Sequence, residues 1–323
     1  MSHPGTTEFD EIARQWQSDN GAPAVSIAII RAGKLLHAAG YGAATPETLY
    51  QTASLGKHFT AALAILLQQL GAGIMLEERV ASYLPELPYE WHRITLRNLL
   101  SHTAGIPSAG YKSLELARDY TDSEIVRSIA SAGALEFPPG EGWRYSNAGY
   151  VLAGIAVGRR SGCFYGDLLR DFIFQPLGMK TAHVNSPDAP IGYVREDGEL
   201  ESAGYVSPTL NRVADGAITL TVLDLARWEE ALSGPWGAQV SEMFDETLLR
   251  NGEPTGYGLG WSLSRSEHGR VARHEGLWQG FSTAMVRYMD EGVAAAALAN
   301  LEDVDATGLA HALANAAVRQ TST

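Results

Sequence analysis

Ser54, Leu55, Gly56 and Lys57 stand where a long apolar helical stretch begins, and no other feature constrains the chain as much. A separation of three sets the serine hydroxyl and the lysine amine on one helix face. Around the lysine lie Phe59, Ala61, Ala62, Leu63, Ile65 and Leu66, so the helix carries it among apolar side chains. The chain holds only four lysines, at positions 34, 57, 112 and 180. A chance Ser-x-x-Lys is still expected in roughly one of three or four such proteins, so the motif is weak alone. Two downstream motifs strengthen it: Tyr145-Ser146-Asn147 and His274-Glu275-Gly276.

The three motifs combine into one chemistry, acyl transfer through a serine. A hydroxyl is a poor nucleophile at its own pKa, and a lysine takes its proton only where the ammonium is discouraged by burial or neighbouring cations. Tyr145 supplies a phenol that serves as phenolate or proton relay. Asn147 is placed to hydrogen-bond the lysine and an incoming amide together. At a helix start, Ser54 also meets unpaired backbone N–H groups and the positive end of the dipole, which stabilise negative charge on an acylated carbonyl. The bland alternative is that Ser54 only caps the helix and Lys57 is solvated.

With 323 residues and 45% hydrophobic side chains, the chain can bury a sizeable core as one large domain or two. A formal net charge of −13 argues against a nucleic-acid partner, which requires a basic face. Cys163 is the only cysteine, so neither an intramolecular disulfide nor a thiolate-rich zinc site is expected, and it reads as a small packing residue. The histidines form no short-spaced ligand cluster, so neither a metal nor a cofactor is expected. His102 reads as a residue that bonds backbone groups in a loop. The first 20 residues lack the basic and apolar regions of a signal peptide, and no apolar run approaches the length of a membrane span. A soluble, cytoplasmic protein is expected, or a periplasmic or secreted one if a leader has been removed.

Phe9, Ile12, Ala13 and Trp16 recur at helical spacing, and Gly21-Ala22-Pro23 ends that helix. Val25 to Ile30 and Leu35 to Ala39, joined by Arg31-Ala32-Gly33-Lys34, read as a β-hairpin. Strand-like segments return late, at Gly256 to Ser264, Val271 to His274, Ser282 to Tyr288 and Val293 to Leu298, before a helix from Val304 to Arg319. Strands at both ends form one antiparallel sheet if the intervening segment is a mostly helical insertion. That segment contains helical stretches at Ser123 to Ala132, Gly149 to Val157, Phe164 to Phe174 and Leu223 to Leu232. Asn185 to Ala214 lacks periodicity and is long for a connection, as functional loops often are.

With these motifs placed, nearly the whole chain resembles the serine β-lactamase and penicillin-binding-protein superfamily. The resemblance is to the branch of class C β-lactamases, D-alanyl-D-alanine carboxypeptidases, D-aminopeptidases and β-lactamase-fold esterases. It rests also on Leu99-Leu100-Ser101-His102-Thr103-Ala104-Gly105-Ile106-Pro107, Pro138-Pro139-Gly140, Pro176-Leu177-Gly178-Met179 and Tyr257-Gly258-Leu259-Gly260-Trp261. It implies an α+β fold of the β-lactamase/transpeptidase type. In that fold residues 1–60 and 250–323 carry an antiparallel sheet flanked by helices, residues 61–249 form a large, mostly helical subdomain, and the site lies in the cleft between.

The same resemblance implies Ser54 as acylated nucleophile, Lys57 as its proton partner, Tyr145 as acid/base and Asn147 as positioning donor. The backbone N–H groups of Ser54 and Leu277 would form the oxyanion hole. Gly276 would let substrate lie against its strand, and Trp278 would line the acyl pocket or simply pack. Penicillin-recognising members usually carry Lys-Thr-Gly where this chain has His274-Glu275-Gly276. A lysine there is a permanent cation for a substrate carboxylate, whereas histidine is largely uncharged near neutral pH. The expected activity is that of a serine hydrolase, first a carboxylesterase. The alternatives are a D-amino-acid peptidase or amidase, a weak β-lactamase, an acyltransferase, and a catalytically silent ligand-binding or structural protein. Its partner would be a small ester, amide or short D-amino-acid peptide, and the oligomeric state is left open.

Overall fold

The computed structural model describes residues 7–185, 190–210 and 214–320. Helix α1 (Glu8–Asn20) starts at Thr7, whose hydroxyl accepts from the Asp10 N–H while the Asp10 carboxylate accepts from the Thr7 N–H, a reciprocal cap. It stops at Gly21, in the left-handed region at φ 57°. Strands β1 (Ala24–Arg31) and β2 (Lys34–Gly42) form the expected hairpin. Their turn residues Ala32 and Gly33 both have positive φ, which matches the twist of the flanking strands.

After the short strand β3 (Tyr50–Gln51), a single tight turn over Ala53–Gly56 leads into α2 (Lys57–Gln69). The helical body adds α3 (Leu96–Leu100), α4 (Ala109–Lys112), α5 (Asp122–Ala130), α6 (Asn147–Ser161) and α7 (Tyr165–Leu169). Helix α6 packs on α2 and α3, which brings the start of α6 towards the start of α2. Cys163, read from the sequence as a packing residue, is exposed in the loop beyond α6, because Gly162 ends the helix in the left-handed region and turns the chain outward.

Strands β4 (His183–Val184) and β7 (Ile218–Leu220) join β3 in a small sheet, and between them β5 (Tyr193–Glu196) and β6 (Glu199–Ser202) pair as a hairpin. Helix α8 (Val222–Ser233) follows, then β8 (Ser262–Ser266), β9 (Gly269–Trp278), β10 (Phe281–Tyr288), β11 (Val293–Ala299) and α9 (Ala306–Arg319). The strand expected from Gly256 begins only at Ser262. Gly258 closes on the Met243 carbonyl and Gly260 takes φ 78°, so the earlier residues form a packed turn.

The main sheet has the order β2-β1-β11-β10-β9-β8 with antiparallel neighbours, so the two chain ends meet where Val25 faces Ala299. β1 and β11 are buried on both faces, which is why they read as near-continuous apolar runs. Val25, Ile27 and Ile29 point with Ala295 and Ala297 into a core under α1 and α9, while Ala28, Ile30, Ala296 and Leu298 join the core shared with the helical body. Helix α8 packs on β1, β2 and β11, so this helix, inside the 61–249 segment, sits in the sheet layer. It is tied there by a buried bidentate pair, Arg287 of β10 with Glu229 of α8, at 2.6 and 3.0 Å. Removing either partner would strand the other charge in the interior.

Candidate active site

The turn that carries Ser54 is held from both sides. Ala53 takes φ 48°, unusual for a residue with a Cβ. The Thr52 carbonyl accepts from the Leu55 N–H and from Thr283 Oγ1 of β10 at 2.7 Å. Two glycines make room for it. A Cβ at Gly216 would lie 2.7 Å from the Ala53 carbonyl carbon, and one at Gly276 would lie 2.3 Å from the Thr52 carbonyl oxygen and 2.4 Å from Thr283 Oγ1. Gly276 was expected to clear space for substrate. The structure gives it a further reason: it lets β9 press against the backbone of the Ser54 turn, so its small size helps to position Ser54.

A prediction follows from those contacts. Gly276→Ala must push β9 or the Ser54 turn aside, and it should lower kcat by about 10-fold or more, the scale of misplacing a reacting group by an ångström. It should also lower the melting temperature. An unchanged kcat and melting temperature in purified variant would show that the close approach is dispensable.

Lys57 is fully buried at the first position of α2. Its Nζ donates to Ser54 Oγ at 2.9 Å and to the Asp215 carbonyl at 2.7 Å. The ring centroids of Tyr145 and Tyr150 lie 5.1 and 5.3 Å from that nitrogen, within cation–π range. The three-residue spacing thus joins hydroxyl and amine directly, with Tyr145, just before α6, and Tyr150, on it, supplying the aromatic cover.

The Tyr145-Ser146-Asn147 segment ends at the start of α6, where Ser146 caps the helix by accepting from the Gly149 N–H. Its approach is set by His102, whose Nδ1 accepts from the Ser146 N–H at 3.1 Å and whose carbonyl accepts from the Arg144 N–H. His102 therefore bonds backbone groups, and accepting at Nδ1 places its ring hydrogen on Nε2. Burial drives its pKa well below the usual histidine value, with the Lys57 and His274 charges adding to the effect. The Tyr145 ring, 40% exposed, lies 4.4 Å from the His102 ring. Asn147 was expected to bond Lys57. In this structure the ammonium's bonds go to Ser54 and Asp215, and Asn147 Oδ1 is buried without a partner among the described residues.

His274 is only 3% exposed and faces inward. Its Nδ1 donates to the Glu275 carbonyl at 2.7 Å, which leaves Nε2 to accept from the Tyr257 hydroxyl at 3.0 Å. Burial, reinforced by the Lys57 charge, pushes its pKa down to about 3, so the ring is neutral at ordinary pH. The expectation was that this position contacts substrate; its ring is buried outside the cavity lining, 6.1 Å ring to ring from Tyr145. Leu277, 58% exposed, and Trp278 follow on β9. The pairing of β8 stops at Ser262 opposite Arg273, so from His274 onward β9 has a strand partner on one side only. β9 also packs on the Ala53–Gly56 turn that carries Ser54.

A cavity of about 270 Å³ unites Ser54, Asn147, Leu277 and Trp278 with an apolar wall of Leu114, Ile125, Val151, Val206 and Leu210. Asp215 and Tyr111 also line it, with the Tyr111 hydroxyl donating to Asp215 Oδ2 at 2.6 Å. Sequence reasoning missed both, because Asp215 directly follows the unperiodic Asn185 to Ala214 stretch and nothing in its neighbours marks it. Residues 186–189 and 211–213 of that stretch lie outside the described residues, as does His3. Tyr257 belonged to a quoted motif, but its partner His274 lies 17 residues on and is joined to it only by the fold. Among the described residues no helix is long and apolar enough to cross a membrane.

Comparison with protein families matches residues 9–318 to the family described as Beta-lactamase. The chain is 34% identical to penicillin-binding protein 4* of Bacillus subtilis (strain 168) over 300 residues, covering 83% of this chain and 65% of that one. It is 25% identical to a D-aminopeptidase of Brucella canis, covering 92% of this chain and 60% of the relative. The chain thus spans less than two thirds of these relatives' length. Among solved structures, the D-amino acid amidase from Ochrobactrum anthropi SV3 complexed with L-phenylalanine amide superposes with a TM-score of 0.80 at 24% identity. That match covers 98% of this chain and all of the amidase, and it is a likeness of fold.

Proposed function

The chain belongs to the beta-lactamase family, and from that premise we propose that it is a serine hydrolase cleaving a small ester or amide through an acyl-enzyme on Ser54. The observation that carries this reading is the 2.9 Å contact between Lys57 Nζ and Ser54 Oγ at the wall of a largely apolar cavity. Once its ammonium has given up a proton, Lys57 Nζ takes the hydroxyl proton as Oγ attacks the carbonyl carbon. The bond to the leaving group then breaks, and the alcohol or amine departs with a proton delivered through Lys57 and Tyr145. Water, deprotonated by the same pair, attacks the Ser54 ester and releases the acid. Oxyanion stabilisation is assigned to the Ser54 and Leu277 N–H groups, and Asn147 Oδ1 is assigned to a donor on the substrate.

An ester is the preferred substrate. Esters are the easier acyl donors, and among the described residues the cavity offers a carboxylate no buried, uncommitted cation: Lys57 is engaged with Ser54, and Lys112 at the rim is exposed, where its attraction is screened. The Brucella D-aminopeptidase supports a second reading, a D-aminoacyl amide. We expect kcat/KM to fall in the order p-nitrophenyl ester, aminoacyl amide, chromogenic cephalosporin. A cephalosporin turned over faster than both others would reverse the preference.

A further inference from the structure

We infer that Asp215 selects acyl donors that carry an ammonium group beside the scissile carbonyl, such as esters and amides of amino acids with a free amine. The inference rests on the acyl-enzyme reading above and names the substrate class for that same site.

Three observations place Asp215 in this role. It lines the cavity with Ser54, and one ammonium connects the two residues, because Lys57 Nζ bonds both Ser54 Oγ and the Asp215 carbonyl. An α-ammonium is two bonds from the acyl carbon, so in the acyl-enzyme it stays in the part of the cavity that Asp215 walls. The carboxylate is also aimed: the Tyr111 hydroxyl donates to Oδ2 at 2.6 Å and fixes the side chain. Tyr111 is its one side-chain hydrogen-bond partner among the described residues. Lys57, the nearby cation, spends its bond on the backbone carbonyl and not on the carboxylate. Among the described residues no cation pairs directly with this acid; an unpaired acid in a partly apolar wall is costly, and a cationic ligand would remove that cost. Burial raises the Asp215 pKa, against the opposing effects of the Lys57 charge and the Tyr111 hydrogen bond, and a cation placed beside it would favour the charged carboxylate. The apolar wall then receives the amino-acid side chain.

The test compares phenylalanine methyl esters with a free amine and with an N-acetyl group, in both enantiomers. The purified chain should favour a free-amine ester over its N-acetyl counterpart by about 10-fold or more in kcat/KM, the scale of one charge-assisted contact. Asp215→Asn keeps the side-chain volume and an acceptor for Tyr111 while removing the charge. It should shrink that preference by about 10-fold, mainly through KM of the free-amine ester. A wild-type chain that treats both esters alike, or prefers the N-acetyl ester, overturns the inference. So does a variant that loses both activities in proportion, since Asp215 would then act only by holding Lys57. If the variant misfolds, the wild-type preference decides alone. Failure to label with an active-serine phosphonate, read separately, overturns the acyl-enzyme reading itself and this inference with it.

Discussion

Ser54→Ala is expected to lower turnover of every substrate by about 10,000-fold or more, the scale seen when a nucleophile is removed from a covalent mechanism. The substitution deletes one oxygen whose one side-chain hydrogen bond among the described residues is the 2.9 Å bond from Lys57. Losing one such bond costs about 1 kcal/mol, so the variant should fold and its melting temperature should fall by only a few degrees. Reaction with an active-serine phosphonate should disappear. The wild-type adduct has a clean readout: cleavage after Lys34 and Lys57 releases residues 35–57, and Ser54 is the only serine in that peptide. An adduct elsewhere, or full activity in the variant, sinks the nucleophile assignment. A wild-type protein that is folded yet never labels would leave the catalytically silent, ligand-binding alternative standing.

The motif residues could be picked out in sequence because each is tied to a local signal. Ser54 and Lys57 stand three apart where a tight turn runs into α2, Tyr145 and Ser146 lead into α6, which Asn147 opens, and β1 and β11 are apolar because both of their faces are covered. What the sequence hid depends on contacts between distant segments. The β5–β6 hairpin shows no alternation because β6 is exposed along its whole length, so no buried face imposes a period of two on its residues. Its position comes instead from backbone bonds of Tyr193 to Gly280 and Asn300. His274 has the residue type of a substrate contact, but Tyr257, Glu275 and the stacking of β9 on the Ser54 turn hold it inward. A glycine that admits substrate and a glycine that admits backbone look identical in sequence. Only the 2.3 Å approach at Thr52 separates them.

Lys57→Met should lower kcat by about 100- to 10,000-fold with a smaller change in KM, since proton transfer is worth that much in the transition state and little in ground-state binding. Methionine fills most of the space and adds no charge to an interior site, so loss of function should not be loss of fold. Tyr145→Phe should act in the same direction, because its ring lies 5.1 Å from the same nitrogen and its hydroxyl can carry a proton to and from the leaving group. If the two residues move one proton between Ser54 and the leaving group, the double variant loses less than the product of the single losses. The neutral histidines sharpen the reading. With His274 held near pKa 3 and His102 pushed well below its ordinary value, neither ring changes charge across neutral pH. The kcat/KM profile of the wild-type chain should therefore show no histidine limb near pH 6.5 on a substrate that does not itself titrate there. Single losses that multiply fully in the double variant, together with a limb at that pH, would move the proton-transfer role away from Lys57 and Tyr145 and onto a histidine.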